Sequence, residues 1–149
     1  MIVASQPVLL VEDEENDILF VQRAFKHAGI LNPLEITRNG DEAVAYLQGV
    51  GKFADRTQFP LPVFVLLDLK MPRKSGLEVL AWAKEQTGLK RIPIVVLTSS
   101  KNDADVNRAY ELGANSYLVK PVSFEGLIEL VKSLQLYWLV LNERPAVSA

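Results

Sequence analysis

Four groups of polar residues in this sequence stand directly after short apolar runs. Glu12-Asp13 and Asp68 follow two of these runs, and Thr98-Ser99-Ser100 and Lys120-Pro121 follow two others. Three carboxylates brought within a few ångströms would repel one another, so they would share protons or hold a cation. A site of a few carboxylates without His or Cys suits Mg²⁺. If the fold brings these positions together, they form a candidate magnesium site.

A lysine and a hydroxyl beside such a site would suit phosphoryl chemistry. Mg²⁺, the ammonium of Lys120 and the hydroxyl of Thr98 would stabilise the charge of a phosphoryl group arriving at one carboxylate. Asp68 would then be a nucleophile, and its product would be an acyl phosphate. Each residue taken singly has an ordinary alternative, because an Asp after a strand usually serves a turn or cap and a Lys before Pro is usually solvated.

The apolar runs are typical of buried strands, and amphipathic helical patterns separate them. The predicted strands are Pro7–Val11, Leu34–Arg38, Val63–Leu67, Ile92–Leu97 and Ser116–Val119. The predicted helices are Asn16–Ala28, Glu42–Gln48, Leu77–Gln86, Asp103–Leu112 and a last one from Ser123 to about Asn142. Asp41 is expected to cap the second helix, and Ser75 with Glu78 forms a capping box for the third.

Alternation of five strands with five helices predicts an α/β fold with a doubly wound parallel sheet, because parallel neighbours need right-handed crossover connections. Ligands of such sheets bind beyond the carboxyl ends of the strands, where all four polar groups stand. At 149 residues, the chain is expected to be one domain spanning 1–149, with a short polar tail over about 143–149. Gly49–Pro62 is predicted to be a long surface loop.

Composition excludes several classes of function. Sixteen Lys+Arg against eighteen Asp+Glu give a net charge of −2, which does not favour a broad nucleic-acid-binding surface. The absence of cysteine excludes disulfides and thiolate metal sites and fits a reducing compartment. No apolar run approaches the roughly 18–20 residues of a membrane span, and the acidic run Glu12–Glu15 is unlike a signal peptide. We therefore expect a cytoplasmic protein that binds neither nucleic acid nor membrane.

Taken together, these residues resemble the receiver domains of two-component response regulators, over about Val8 to Leu141. The similarity lies in the acidic pair after LLV, the Asp of LLDLKMP, the Thr after IVVL, and the Tyr and Lys of SYLVKP, at matching intervals. It implies the flavodoxin-like receiver fold, with sheet order 2-1-3-4-5. It also implies a signalling protein that accepts a phosphoryl group, rather than an enzyme acting on a separate substrate.

The resemblance implies a role for each acidic and basic position. Asp68 would accept the phosphoryl group from the phosphohistidine of a histidine kinase. Asp13 and Asp68 would bind Mg²⁺ directly, Glu12 would act through a water, and the backbone carbonyl of Lys70 would complete the set. Lys120 would pair with the phosphoryl oxygens.

The resemblance also implies a conformational switch that signals to a protein partner. Thr98 would move toward the phosphoryl group, and Tyr117 would enter the space that Thr98 leaves. Ser99 is small, as access of the phosphate requires. The bond from Lys120 to Pro121 would be cis and would direct the lysine side chain inward.

Other segments resemble a narrower group, the stand-alone regulators that serve phytochrome-type histidine kinases. These segments are the long Gly49–Pro62 loop and the stretches VEDEENDILFVQRAF, YELGANSYLVKPV and LYWLVLN. Two features depart from the commonest receiver pattern. Glu12 replaces the more frequent Asp, and the loop after Asp68 carries the basic pair Arg73-Lys74.

Two other functions fit the sequence less well. An aspartate-nucleophile phosphatase would need an acid two residues after the nucleophile, where this chain has Lys70. A receiver-like scaffold without chemistry would be expected to have lost an acid, the Thr or the Lys, and this sequence has all of them.

The last helix predicts a homodimer. At 100° per residue, its core stripe contains Leu127, Leu130, Val131, Leu134, Tyr137, Trp138 and Leu141. Leu136, Leu139 and Val140 fall on the opposite face, which should meet water. A helix end that is apolar all round is normally buried, so a second copy related by a two-fold axis is the expected partner. Receiver-like proteins pair through the surface that includes this helix, so the resemblance points the same way.

Overall fold

A computed structural model describes residues 6–149 of the chain. Its centre is a five-stranded sheet in the order β2-β1-β3-β4-β5, in which every neighbouring pair is parallel. The strands are β1 (Val8–Val11), β2 (Leu34–Thr37), β3 (Phe64–Leu67), β4 (Ile94–Thr98) and β5 (Ser116–Val119). The predicted doubly wound fold and strand order are confirmed.

Five α-helices connect or follow the strands. They are α1 (Glu15–His27), α2 (Gly40–Gln48), α3 (Gly76–Glu85), α4 (Asp103–Glu111) and α5 (Phe124–Leu134). The capping box of α3 is confirmed, with Ser75 and Glu78 bonded reciprocally. The predicted cap of α2 was wrong. The Asn39 side chain accepts the hydrogen bond from the Glu42 amide, because the extended backbone of Asn39 makes it the N-cap and places Asp41 inside the first turn.

The hydrophobic core lies on both faces of the sheet, because successive strand residues point to opposite sides. Leu9 and Val11 of β1 join the cluster beneath α2, α3 and α4. Val8 and Leu10 join the cluster beneath α1 and α5. All four β1 residues are buried, as expected for a central strand covered by helices on both sides.

The chain continues helically beyond α5, but as a π-helical segment, Gln135–Leu141. Each residue of a π-helix advances by less than 100°, because its hydrogen bonds span five residues rather than four. The predicted α-helical faces are therefore out of phase here. Leu139 was predicted on the exposed dimer face, and this was wrong, since it is buried in the core cluster beneath α1 and α5. Tyr137 and Leu141, predicted in the core stripe, are exposed.

Leu136 and Val140 are exposed, as the sequence predicted. Of the described helices, none has the length and apolar character needed to cross a membrane.

Residues 143–149 contain no helix or strand, but they pack against the rest of the protein. Arg144 donates hydrogen bonds to the Gln6 side chain and to the Leu139 carbonyl. The Ser148 amide donates to the Gly88 carbonyl. A Cβ at position 88 would lie only 2.0 Å from the Ser148 carbonyl oxygen, so this close approach requires glycine.

Candidate functional site

The candidate site lies at the carboxyl edge of the sheet. β1 leads into Glu12 and Asp13, β3 into Asp68 and β5 into Lys120, while β4 ends on Thr98. The parallel register aligns Val11 with Leu67 and Thr98 with Val119, so the residues that follow these strands meet at one edge. Carboxylate oxygens of Glu12, Asp13 and Asp68 lie within 4.8 Å of one another. The structure thus brings together the three acids that the sequence singled out.

Lys120 supplies a positive charge beside this cluster. Its Nζ lies 2.7 Å from Glu12 Oε1, 2.7 Å from Asp17 Oδ2 and 3.4 Å from Asp68 Oδ2. Glu12 and Asp68 are buried, at 2% and 6% exposure, whereas Asp13 is exposed. Two acids of the cluster are therefore shielded from solvent, and the third is open to it.

Burial shifts the protonation equilibria of the pocket. Desolvation, reinforced by the negative charge of Asp68, raises the pKa of Glu12 to about 7, although the hydrogen bond from Lys120 opposes the shift. Desolvation also opposes the charge of Lys120. Its hydrogen bonds to Asp17 and Glu12 outweigh that effect, and the pKa of Lys120 is raised. One ammonium group thus faces three carboxylates, which leaves the pocket with an excess of negative charge.

The chemistry of these donors fits a hard divalent cation. All three acids offer oxygen ligands, and the buried carboxylate of Glu12 is incompletely neutralised by Lys120. Glu12, Asp13 and Asp68 could hold Mg²⁺. The Lys70 amide lies 3.4 Å from Asp68 Oδ1, which places this residue beside the acceptor, and the role of its carbonyl stays a prediction.

The proposed switch residues lie on the β4 side of the pocket. Thr98 is buried, and its hydroxyl oxygen has no hydrogen-bond partner among the described residues. The Tyr117 hydroxyl donates a 3.0 Å hydrogen bond to the Ser100 carbonyl, while the Ser100 hydroxyl donates to Asp105 at 2.6 Å. Ser99 lines a cavity of about 630 Å³ that Lys120 also borders.

The predicted cis bond before Pro121 was wrong, because the Lys120–Pro121 peptide bond is trans. An X–Pro bond favours trans by only about 0.5–1 kcal/mol, so the local sequence does not fix the isomer. The side chain of Lys120 reaches Glu12 and Asp17 with the trans bond in place.

Sequence reasoning missed Asp17 and Asp105, and it placed Ser100 at the end of the fourth strand without giving it a role of its own. Asp17 lies in the first turn of α1 and binds Lys120 as closely as Glu12 does. The one feature of the sequence that points to Asp17 is its position about one helical turn after the acidic pair. Asp105 lies in the first turn of α4. Its carboxylate accepts a hydrogen bond from the Ser100 hydroxyl, and its Oδ2 lies 3.9 Å from Lys70 Nζ. Acids are common in first helical turns, so the pattern alone gives neither residue a special role.

Comparison with known proteins agrees with this geometry. The profile of the response regulator receiver domain family matches residues 8–132. Response regulator Rcp1 of Synechocystis sp. is 42% identical over 139 residues, covering 93% of this chain and 92% of Rcp1. The probable methanogenesis regulatory protein FilR2 of Methanothrix harundinacea is also 42% identical, over 93% of this chain and 86% of FilR2.

Solved structures give the same result. The phosphorylated cyanobacterial phytochrome response regulator RcpA has a TM-score of 0.88 and 37% identity, over 96% of this chain and all of RcpA. The Mn²⁺-bound form of Rcp1 has a TM-score of 0.84 and 42% identity, over 95% of this chain and 99% of that one. The resemblance seen in the sequence is confirmed.

Proposed function

Because the chain belongs to the response regulator receiver domain family, we propose that it accepts a phosphoryl group from a histidine kinase onto Asp68. The observation that carries the proposal is the position of Lys120, whose ammonium lies between buried Glu12 and Asp68 in a cluster of three carboxylates. This arrangement offers a nucleophilic carboxylate beside a fixed positive charge. The same arrangement is what phosphoryl transfer to an acid requires.

In the proposed reaction, a carboxylate oxygen of Asp68 attacks the phosphorus of the kinase's phosphohistidine. The new O–P bond forms as the P–N bond breaks, and the imidazole nitrogen leaves with the bonding electron pair. Lys120 would pair with the phosphoryl oxygens. Glu12, Asp13 and Asp68 would hold Mg²⁺, which when bound would neutralise part of the negative charge brought together by acceptor and donor.

The signal is proposed to leave the site as a conformational change on its β4 side. Thr98 has a buried hydroxyl without a hydrogen-bond partner among residues 6–149, so a phosphoryl oxygen on Asp68 would satisfy it. Movement of Thr98 would reach Tyr117 through the Ser100 carbonyl that Tyr117 binds. A protein partner, rather than a reaction catalysed on a separate substrate, would read this change.

The kinase is proposed to be of phytochrome type, and the names of Rcp1 and RcpA support this. FilR2 has the same sequence identity to this chain as Rcp1 but is named for a different process. The identity of the kinase therefore needs a direct test. The chain has no cysteine, which supports a cytoplasmic location.

A homodimer through the end of the last helix is part of the proposal. Leu136, Tyr137, Val140 and Leu141 are each more than half exposed. Tyr137 also lines, together with Trp138, an apolar hollow of about 440 Å³ beside β5 and α5. Exposed apolar side chains grouped in one short segment favour burial against the same segment of a second copy.

The test of the proposed phosphorylation is incubation with Mg²⁺ and acetyl phosphate, followed by intact-mass measurement. The wild-type protein should gain the mass of one phosphoryl group, and Asp68→Asn should gain none while keeping its fold, because the amide is isosteric with the acid. Asp103→Asn, at an exposed acid of α4, is the matched control and should be phosphorylated like the wild type. If Asp68→Asn were labelled to the same extent as the wild type, another residue would be the acceptor, and Asp13 is the next candidate. A wild-type protein that gains no mass would favour the scaffold without chemistry.

A further inference from the structure

The three hydrogen-bond donors of Lys120 are unequally shared. Two are taken up by bonds of 2.7 Å to Glu12 and to Asp17, and Asp68 lies farther away, at 3.4 Å. Before phosphorylation, the charge of Lys120 is therefore directed mainly toward two acids that are not the phosphoacceptor. Asp17 reaches this lysine from the first turn of α1.

A phosphoryl group on Asp68 would bring close to two negative charges and three acceptor oxygens. The third donor of Lys120 already faces Asp68, at 3.4 Å, and moving the ammonium closer to a phosphoryl group there lengthens one of its two short bonds. Loosening the bond to Glu12 is costly, because Glu12 is 2% exposed and water has little access to replace the lysine there. The side chain of Asp17 is 36% exposed, so water can replace the lysine there at little cost. Asp17 is thus the partner that Lys120 exchanges for the phosphoryl group.

We infer that Asp17 is a positioning residue that restrains phosphorylation of Asp68 by holding the ammonium of Lys120. The inference rests on the proposed function, because it concerns the same reaction. The carboxylate of Asp17 competes with the phosphoryl oxygens for the ammonium of Lys120.

A different role for Asp17 makes the opposite prediction. If Asp17 only anchored Lys120 in the geometry that the reaction needs, its removal would leave the lysine less ordered and slow the reaction. If Asp17 instead restrains the reaction, removing its charge should make the reaction faster. Loss of structure alone would not produce such a gain.

The experiment measures the second-order rate constant of phosphorylation by acetyl phosphate at fixed Mg²⁺. Asp17→Asn should raise this constant by about three- to tenfold, the range expected for one partly screened charge near the site. Asp17→Glu restores the charge and should return the rate toward that of the wild type. In a Lys120→Met background, Asp17→Asn should have no effect, because the residue acts through the lysine.

Glu15→Gln is the matched control. Glu15 lies in the same first turn of α1 but pairs with Arg38, so its replacement removes an equivalent charge without touching Lys120. Its rate should equal that of the wild type. A rate for Asp17→Asn equal to or below the wild-type rate overturns the restraint, as does an equal gain in the Lys120→Met background. If the wild-type protein is not phosphorylated at all, the proposed function fails, and the restraint fails with it.

Discussion

The ammonium of Lys120 donates a 2.7 Å hydrogen bond to the carboxylate of Glu12, which is almost completely buried at the end of β1. The bond does not offset the burial, because desolvation of the Glu12 carboxylate outweighs it and the negative charge of Asp68 adds to the shift. The pKa of Glu12 is consequently raised to about 7. Burial therefore favours the protonated form of Glu12 more strongly than in an ordinary glutamate.

This shift predicts how stability depends on pH. Between the ordinary Glu value of 4.5 and about 7, folded Glu12 holds a proton that the unfolded chain releases. The free energy of unfolding should therefore fall as pH rises through this window, by up to about 3 kcal/mol from Glu12. Glu12→Gln removes the contribution, so the variant should be more stable than the wild type at pH 8.

Urea unfolding in EDTA at a series of pH values checks this prediction. Glu85→Gln, at an exposed position near the end of α3, should keep the pH dependence of the wild type. If Glu12→Gln keeps it as well, another group is responsible.

Asp13→Ala should weaken Mg²⁺ binding by at least about tenfold, because it removes an oxygen ligand from a site with only three acidic side chains. Asp13 is exposed, so the fold should be little affected. Titration calorimetry gives the affinity, and Glu14→Ala is the neighbouring control. An unchanged affinity in Asp13→Ala would show that Asp13 is not a ligand.

Arg56 should stabilise the long loop after α2. Its guanidinium donates to the carbonyls of Tyr46, Leu47 and Phe59, at 2.7, 2.6 and 3.2 Å. Arg56→Ala should lower the free energy of unfolding by about 1–3 kcal/mol, since it leaves partly buried carbonyls unpaired. Urea denaturation measures the loss.

Lys52→Ala is the control for Arg56, because it removes an exposed cation from the same loop. It should change stability by less than about 0.5 kcal/mol. Equal losses from the two substitutions would mean that the three carbonyl contacts of Arg56 contribute nothing specific.

The double substitution Leu136→Glu/Val140→Glu should convert a dimer to a monomer, because it places charges in the apolar patch at the end of the last helix. Sedimentation velocity at tens of micromolar distinguishes the two states. Leu31→Glu changes an equally apolar, exposed residue elsewhere and should leave the dimer intact. A wild-type protein that is monomeric with and without phosphorylation would assign the patch to a different partner.

Local patterns were sufficient for most of the architecture. A continuous run of apolar residues predicts β1, because such a run is typical of a strand covered on both faces. The spacing of Ser75 and Glu78 predicts the start of α3. The alternation of strands and helices then placed Asp68 and Lys120 at the same edge of the sheet. These features depend on neighbours in the sequence and on a general rule of topology, so the sequence contains them.

Tertiary structure alone decided the contacts that depend on packing between distant segments. Leu139 is buried because the last helix changes from α to π pitch, which a wheel of fixed angle cannot represent. Asp17 binds Lys120 because the fold brings the first turn of α1 to the residue that follows β5, although 103 residues separate the two positions. Sequence determined which residues could do chemistry at this edge. Packing determined which acids share Lys120, because that choice depends on how β1, β3, β5 and α1 are placed relative to one another.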